Sequence, residues 1–224
     1  MATCSATVPD LNGSGDAFYG PLWNSSQPHV DYFWTTYGFA GNKAYWDDGF
    51  GWEDPGNISL PLGRTFNSLW LLTYSAEDWE NDAYEATALN WGRRYVRENI
   101  RDLRARCGDG TAVAAATGTL VELYLDMWYG QAVPERASTF MHEARHIGGK
   151  DHNDKFPAGS VFSAGQPGAD SDWNYEGAWM YETLYLWWYF AAGTPVTSAM
   201  RQRARQMGNL YLDNAFAARP PFRI

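Results

Sequence analysis

Residues 134–152 read PERASTFMHEARHIGGKDH, and this stretch sets the architecture expected of the chain. Pro134 stands where a first-turn proline belongs, because its missing N–H costs nothing there and its fixed φ already suits a helix. No breaker follows until Gly148-Gly149, which can end the helix by entering the left-handed conformation that other residues avoid. On that helix His142 and His146, four residues apart, share one face, so each can direct a ring nitrogen at a common point. Glu143 is rotated by roughly 100 degrees from His142 and falls outside the pair.

Two such imidazoles with a neighbouring carboxylate point to a hydrolytic zinc site. A catalytic zinc takes three protein ligands and keeps one open position, so a third ligand is needed. His152 is the first candidate, since Gly148-Gly149 turns the chain back and lets a residue shortly beyond approach from a new direction. Glu143 is then placed to take a proton from water held at the metal and to return it to the leaving group. The expected cofactor is Zn2+, held by His142, His146 and His152. The remaining histidine, His29, stands in a Pro-flanked loop and is read as an ordinary side chain.

From His142 to His152 the chain resembles the metzincin clan of zinc metallopeptidases, whose signature HExxHxxGxxH it matches position by position. The match covers only this stretch, but chance supplies it in roughly one such chain in 10⁵. The resemblance implies three histidine ligands, Glu143 as base and acid, and hydrolysis of peptide bonds by zinc-bound water. It also implies a methionine in a tight turn below the metal. Met180, 28 residues after His152, lies at a suitable distance, but in GAWMYETLYL, a run that reads as helix and in which a core gap filler is the competing reading. WNYEGAW is similar to the gluzincin arrangement, in which a glutamate on a later helix completes the site. Glu176, 30 residues after His146, would play that part, with Glu182 and Asp151 as further alternatives to His152. Tyr181 and Tyr185 are candidate donors to an oxyanion, and Arg145 is expected to turn from the metal and pair with an acid.

Outward from this segment, the chain is expected to be one mainly α domain over residues 1–224, with α+β as the variant reading: a helical zincin-like body over 65–217 and an irregular, aromatic-rich N-terminal region over 1–62. HVDYFWTTYGF (29–39) and NKAYWDDGFGW (42–52) suggest one or two short strands or hairpins. Helices are expected near 65–75, from 79 to 106 with Trp91, Tyr95, Ile100 and Leu103 as its apolar stripe, and over 112–128, although TGTLVELYLDMW contains strand-like residues. A further helix, WNYEGAWMYETLYLWWYFAA, would be capped by Ser171 or Asp172, and Thr194-Pro195 would open the last, running to about 217.

A formal charge of -9 argues against a nucleic-acid surface, and the basic run Arg93–Arg106, interleaved with Glu98 and Asp102, reads as a solvated helix face. No segment approaches the roughly 20 apolar residues that span a bilayer, and the opening MATCSATVPDLNGSG lacks a signal-peptide pattern, so a mature secreted monomer acting on peptide or protein substrates, glycosylated ones included, is expected. Cys4 and Cys107 are expected to form a disulfide. With 12 Trp, 14 Tyr and 11 Phe the chain is unusually aromatic. YWDDGFGWEDP (45–55) and DSDWNYEGAW (170–179) set carboxylates beside flat rings, which supports a second reading: a carbohydrate-binding or carbohydrate-processing protein with an aromatic groove and a structural zinc.

Overall fold

The computed structural model describes residues 7–8, 13–38, 46–77, 79–80, 88–107 and 112–224. About 51% of the structure is helical and 11% extended, so the chain is mainly α with two small sheets. A short helix α1 (Asp16–Tyr19) and a 3-10 turn lead into α2 (Gln27–Thr36) and α3 (Pro61–Tyr74). There follow α4 (Ala88–Asn99), β1 (Asp102–Arg106), β2 (Ala114–Thr117), β3 (Leu120–Tyr124), α5 (Leu125–Gly130) and α6 (Val133–Ile147). The remainder is β4 (Asp154–Lys155), β5 (Pro167–Ala169), α7 (Ala178–Ala192) and α8 (Ser198–Asn214).

Helices α3 and α6 form the centre. Every residue of α3 from Pro61 to Thr73 is buried, and so is every residue of α6 from Val133 to Ala144. Pro134 lies in the first turn of α6, and Glu135 reaches back so that the Ala132 N–H donates to its carboxylate at 3.3 Å. Asp16 anchors the N-terminal segment to both central helices: its buried carboxylate accepts from Arg64 of α3 and Arg136 of α6, and from Asn67 Nδ2 at 2.7 Å.

Several expectations are corrected. The N-terminal region is partly helical: Pro28 in the first turn starts α2, which covers the supposed strand after residue 29 and buries Val30 and Phe33. Of the second supposed strand, 42–52, residues 42–45 lie outside the described residues, and the rest contributes an isolated bridge from Trp46 to Ala105. The helix expected over 79–106 is, among the described residues, only α4; Leu103 and Ala105 alternate with half-buried neighbours, and this period of two makes 102–106 a strand. The helix expected over 112–128 is the β2–β3 hairpin followed by α5. Gly118, with φ of 63°, permits its tight turn, and Val121 and Leu123 face the core. The basic run is not one solvated face. Arg93 is buried and donates to the Thr73 carbonyl, Arg94 pairs with Glu98 at 2.9 Å, and Arg106 on β1 pairs with Asp47 at 2.8 Å.

The caps also shift. Asp172 accepts from Tyr175 N–H in a 3-10 turn ahead of α7, and Thr197, not the Thr194-Pro195 pair, caps α8 by accepting from Met200 N–H. Cys4, the expected partner of Cys107, lies outside the described residues.

In the larger sheet the order is β1-β3-β2, with β1 parallel and β2 antiparallel to β3. Among the described residues β2 is therefore an edge, and α6 packs beside it.

Candidate metal centre

The last turns of α6 carry His142, buried, and His146, half-buried, toward one point. The helix then stops as expected: Gly148 N–H donates to Ala144 O and Gly149 N–H to His146 O, each at 2.9 Å, with Gly149 at φ 86°. Gly148 has its own reason to be glycine, since a Cβ there would strike the Tyr95 hydroxyl. The reversal brings His152 against the other two. One ring nitrogen from each histidine lies within 4.8 Å of the others, and the Nε2 atoms of His142 and His152 are 3.2 Å apart.

Each ring is held from behind. His142 Nδ1 lies 2.8 Å from Glu182 Oε2, His146 Nδ1 lies 2.9 Å from the Lys150 carbonyl, and His152 Nδ1 lies 2.9 Å from Asp170 Oδ1. Where Nδ1 donates to the oxygen beside it, Nε2 carries the lone pair. Two Nε2 atoms 3.2 Å apart can share either a proton, one ring donating to the other, or a cation. Nitrogens about 2.0–2.1 Å from a tetrahedral zinc sit roughly 3.3–3.4 Å from one another, close to that separation. That pair has the spacing of zinc ligands, and the three histidines, each with an oxygen behind it, could hold a metal ion.

The electrostatics agree with this assignment. Burial, then the neighbouring His152, lowers the His142 pKa to about 3, and burial followed by His142 and His152 lowers that of His146 to about 4, so both rings are neutral and free to ligate near neutrality. Burial raises Glu182 to about 7, offset in part by hydrogen bonds from Ser138 and Thr139. Both shifts favour uncharged forms, so the Glu182–His142 contact is a hydrogen bond ahead of an ion pair in the metal-free protein. Burial, and then Glu182, raises Glu143 to about 8, against a hydrogen bond from the Ala116 N–H of β2. Glu143 Oε2 is buried with no hydrogen-bond partner among the described residues.

The alternatives to His152 lie elsewhere. Glu176 is exposed in the left-handed region, and it is its backbone carbonyl that accepts from Arg145 Nε at 2.7 Å. Arg145 thus turns away as expected, but onto a carbonyl and the Tyr181 ring and not onto an acid. The Asp151 side chain is 97% exposed, and Glu182 stands behind His142 as its hydrogen-bond partner. Of the phenols, Tyr181 packs among Trp91, Tyr95 and Arg145, and Tyr185 is buried in the core. Met180 packs against the core, and its neighbour Trp179 is the residue that meets the histidines, with ring centroids 4.6 Å from His142 and 5.7 Å from His152.

Asp170 and Trp179 had no local signal in the sequence, because both act across the fold on residues far away in the chain. Of the rings in the two acidic, aromatic stretches, Trp46 is buried and donates to the Leu103 carbonyl, Trp52 lies against Trp34, and Trp173 packs on Phe216 and Phe222. Among the described residues no helix is long and apolar enough to cross a membrane.

No protein-family model, no curated protein and no solved structure matches this chain. The chemistry of the site is read from its own residues.

Proposed function

We propose that this chain is a zinc-dependent hydrolase that cleaves peptide bonds. The observation that carries the reading is the convergence of His142, His146 and His152, each with Nδ1 engaged by an oxygen, beside a carboxylate whose Oε2 has no partner among the described residues. Zinc, when bound, supplies a Lewis acid that polarises a carbonyl and acidifies water. Glu143 does the proton work: Oε2 accepts a proton from the attacking water, and the buried carboxyl holds it until the departing amine takes it. Its pKa, raised to about 8 by burial in the metal-free protein, suits the half in which the carboxyl holds the proton, and the positive charge of a bound cation would favour the carboxylate that the first half needs.

Strand β2 supports a peptide as substrate. Val113 O accepts from Tyr124 N–H at 3.0 Å, and Thr117 pairs with Leu120 across the turn, so in the antiparallel alternation the N–H and C=O groups of Ala114 and Ala116 face away from β3. The Ala116 N–H reaches Glu143, which puts this open edge beside the base. The side chains there are Ala-Ala-Ala-Thr, with no lysine, proline or bulge to guard the edge. An extended peptide adding to it would run past Glu143 and the histidines.

The test pairs metal content with turnover. Zinc should co-purify with the chain, casein cleavage should stop on chelation and return with zinc, and Glu143→Gln should keep the metal while losing about 10²–10⁴-fold in rate. Full zinc retention by His152→Ala would remove the three-histidine centre. No hydrolysis by freshly metallated protein across a broad peptide library would remove the peptidase.

A further inference from the structure

The indole of Trp179 lies under two of the three histidines. It meets the His142 ring edge-on at 4.6 Å and 81°, and it stacks on His152 at 5.7 Å and 23°. Phe162 stacks near it at 5.3 Å and 18°, with Tyr211 at 5.2 Å. Its own plane is fixed twice: Nε1–H donates to the Gly168 carbonyl at 2.7 Å, and the backbone N–H donates to Asp170 Oδ2 at 3.1 Å.

A hydrogen bond at Nδ1 aims an imidazole but leaves it able to turn about the bond. A flat ring stacked on its face removes that freedom. His152 has both restraints, from Asp170 and from Trp179, and it is the ligand that needs them, because it lies beyond the helix that orders the other two. Gly177 completes the arrangement, since a Cβ there would overlap the Asp170 carboxylate and push it from His152.

We infer that Trp179 is a positioning residue for a divalent cation, holding the ring planes of His142 and His152 so that both Nε2 lone pairs meet one ion. This rests on the reading of the three histidines as a metal centre. What matters is the flat face of the side chain, not its bulk.

The experiment compares Trp179→Phe, which keeps a flat ring, with Trp179→Met, which keeps much of the volume and loses the plane. Zinc affinity is measured by chelator competition on the full chain, and the visible absorption of the Co2+-loaded protein reports ligand geometry. Trp179→Met should weaken zinc binding about ten- to a hundred-fold, as outer-shell changes at metal sites do, and should alter the Co2+ bands. Trp179→Phe should stay within about threefold of wild type and restore them. Trp179→Leu replaces the Met variant if that one does not fold. Equal behaviour of the flat and non-flat variants, either both like wild type or both equally weakened, overturns the inference. If wild type itself binds zinc no better than His142→Ala, the metal centre fails and the inference with it; if wild type binds and Trp179→Met binds as well, only the role of Trp179 fails.

Discussion

His152 and Asp170 are joined by a 2.9 Å contact between Nδ1 and Oδ1, and Asp170 is wholly buried at the head of α7. Its second oxygen accepts from Trp179 N–H at 3.1 Å, so one carboxylate caps a helix and orients the His152 ring. Asp170→Asn cannot do both, because either orientation of the amide turns its NH2 group toward one of the two N–H donors. Zinc affinity by chelator competition should fall about ten- to a hundred-fold, and thermal stability should drop by about 1–3 kcal/mol for the donor left without an acceptor. Wild-type zinc affinity in this variant would show that His152 needs no partner behind it.

Ala114→Pro tests the open edge. The Ala114 N–H faces away from β3, so its removal spares the β2–β3 ladder while deleting a donor that an added peptide strand would use. The expected result is a KM for peptides raised about tenfold or more, equal to the loss of roughly 1.4 kcal/mol of binding, with zinc content unchanged. An unchanged KM would place the substrate elsewhere.

The pH dependence of the zinc-free protein follows from opposed shifts. His142 and His146, lowered from 6.5 to about 3 and 4, contribute stability that is present above 6.5 and lost as pH falls toward those values. Glu143 and Glu182, raised from 4.5 to about 8 and 7, contribute stability that is present below 4.5 and lost as pH rises through those values. Between 4.5 and 6.5 the two pairs cancel, so melting temperatures in a chelator should be level there and decline on both sides. A single slope across that interval would contradict the assigned environments. Zinc affinity itself should fall with acidity, because protons compete for the same imidazoles.

Asp16→Ala should be among the most damaging changes far from the three histidines. It strips the anion from the buried Arg64 and Arg136 guanidiniums, and breaking such a pair costs about 3–5 kcal/mol. Denaturant midpoints measure the loss. A cost under about 1 kcal/mol would mean that water replaces the carboxylate.

The features legible in the chain alone are local ones. Pro134, the four-residue spacing of His142 and His146, and the glycines that close α6 act within a few turns of one helix, where backbone geometry alone relates the side chains. Expectation and structure part where local preference is divided. Residues 112–128 pair as a hairpin because Val121 and Leu123 find a core on one face, and residues 27–36 coil because Val30 and Phe33 find one against α3. It took the packed fold to set Glu182 behind His142, to bring Asp170 and Trp179 against His152, and to run the open edge of β2 beside Glu143. Each of these joins residues on different elements, and no periodicity in a chain records which elements will pack together; burial does, by forcing every polar group taken from water to find its partner across the fold.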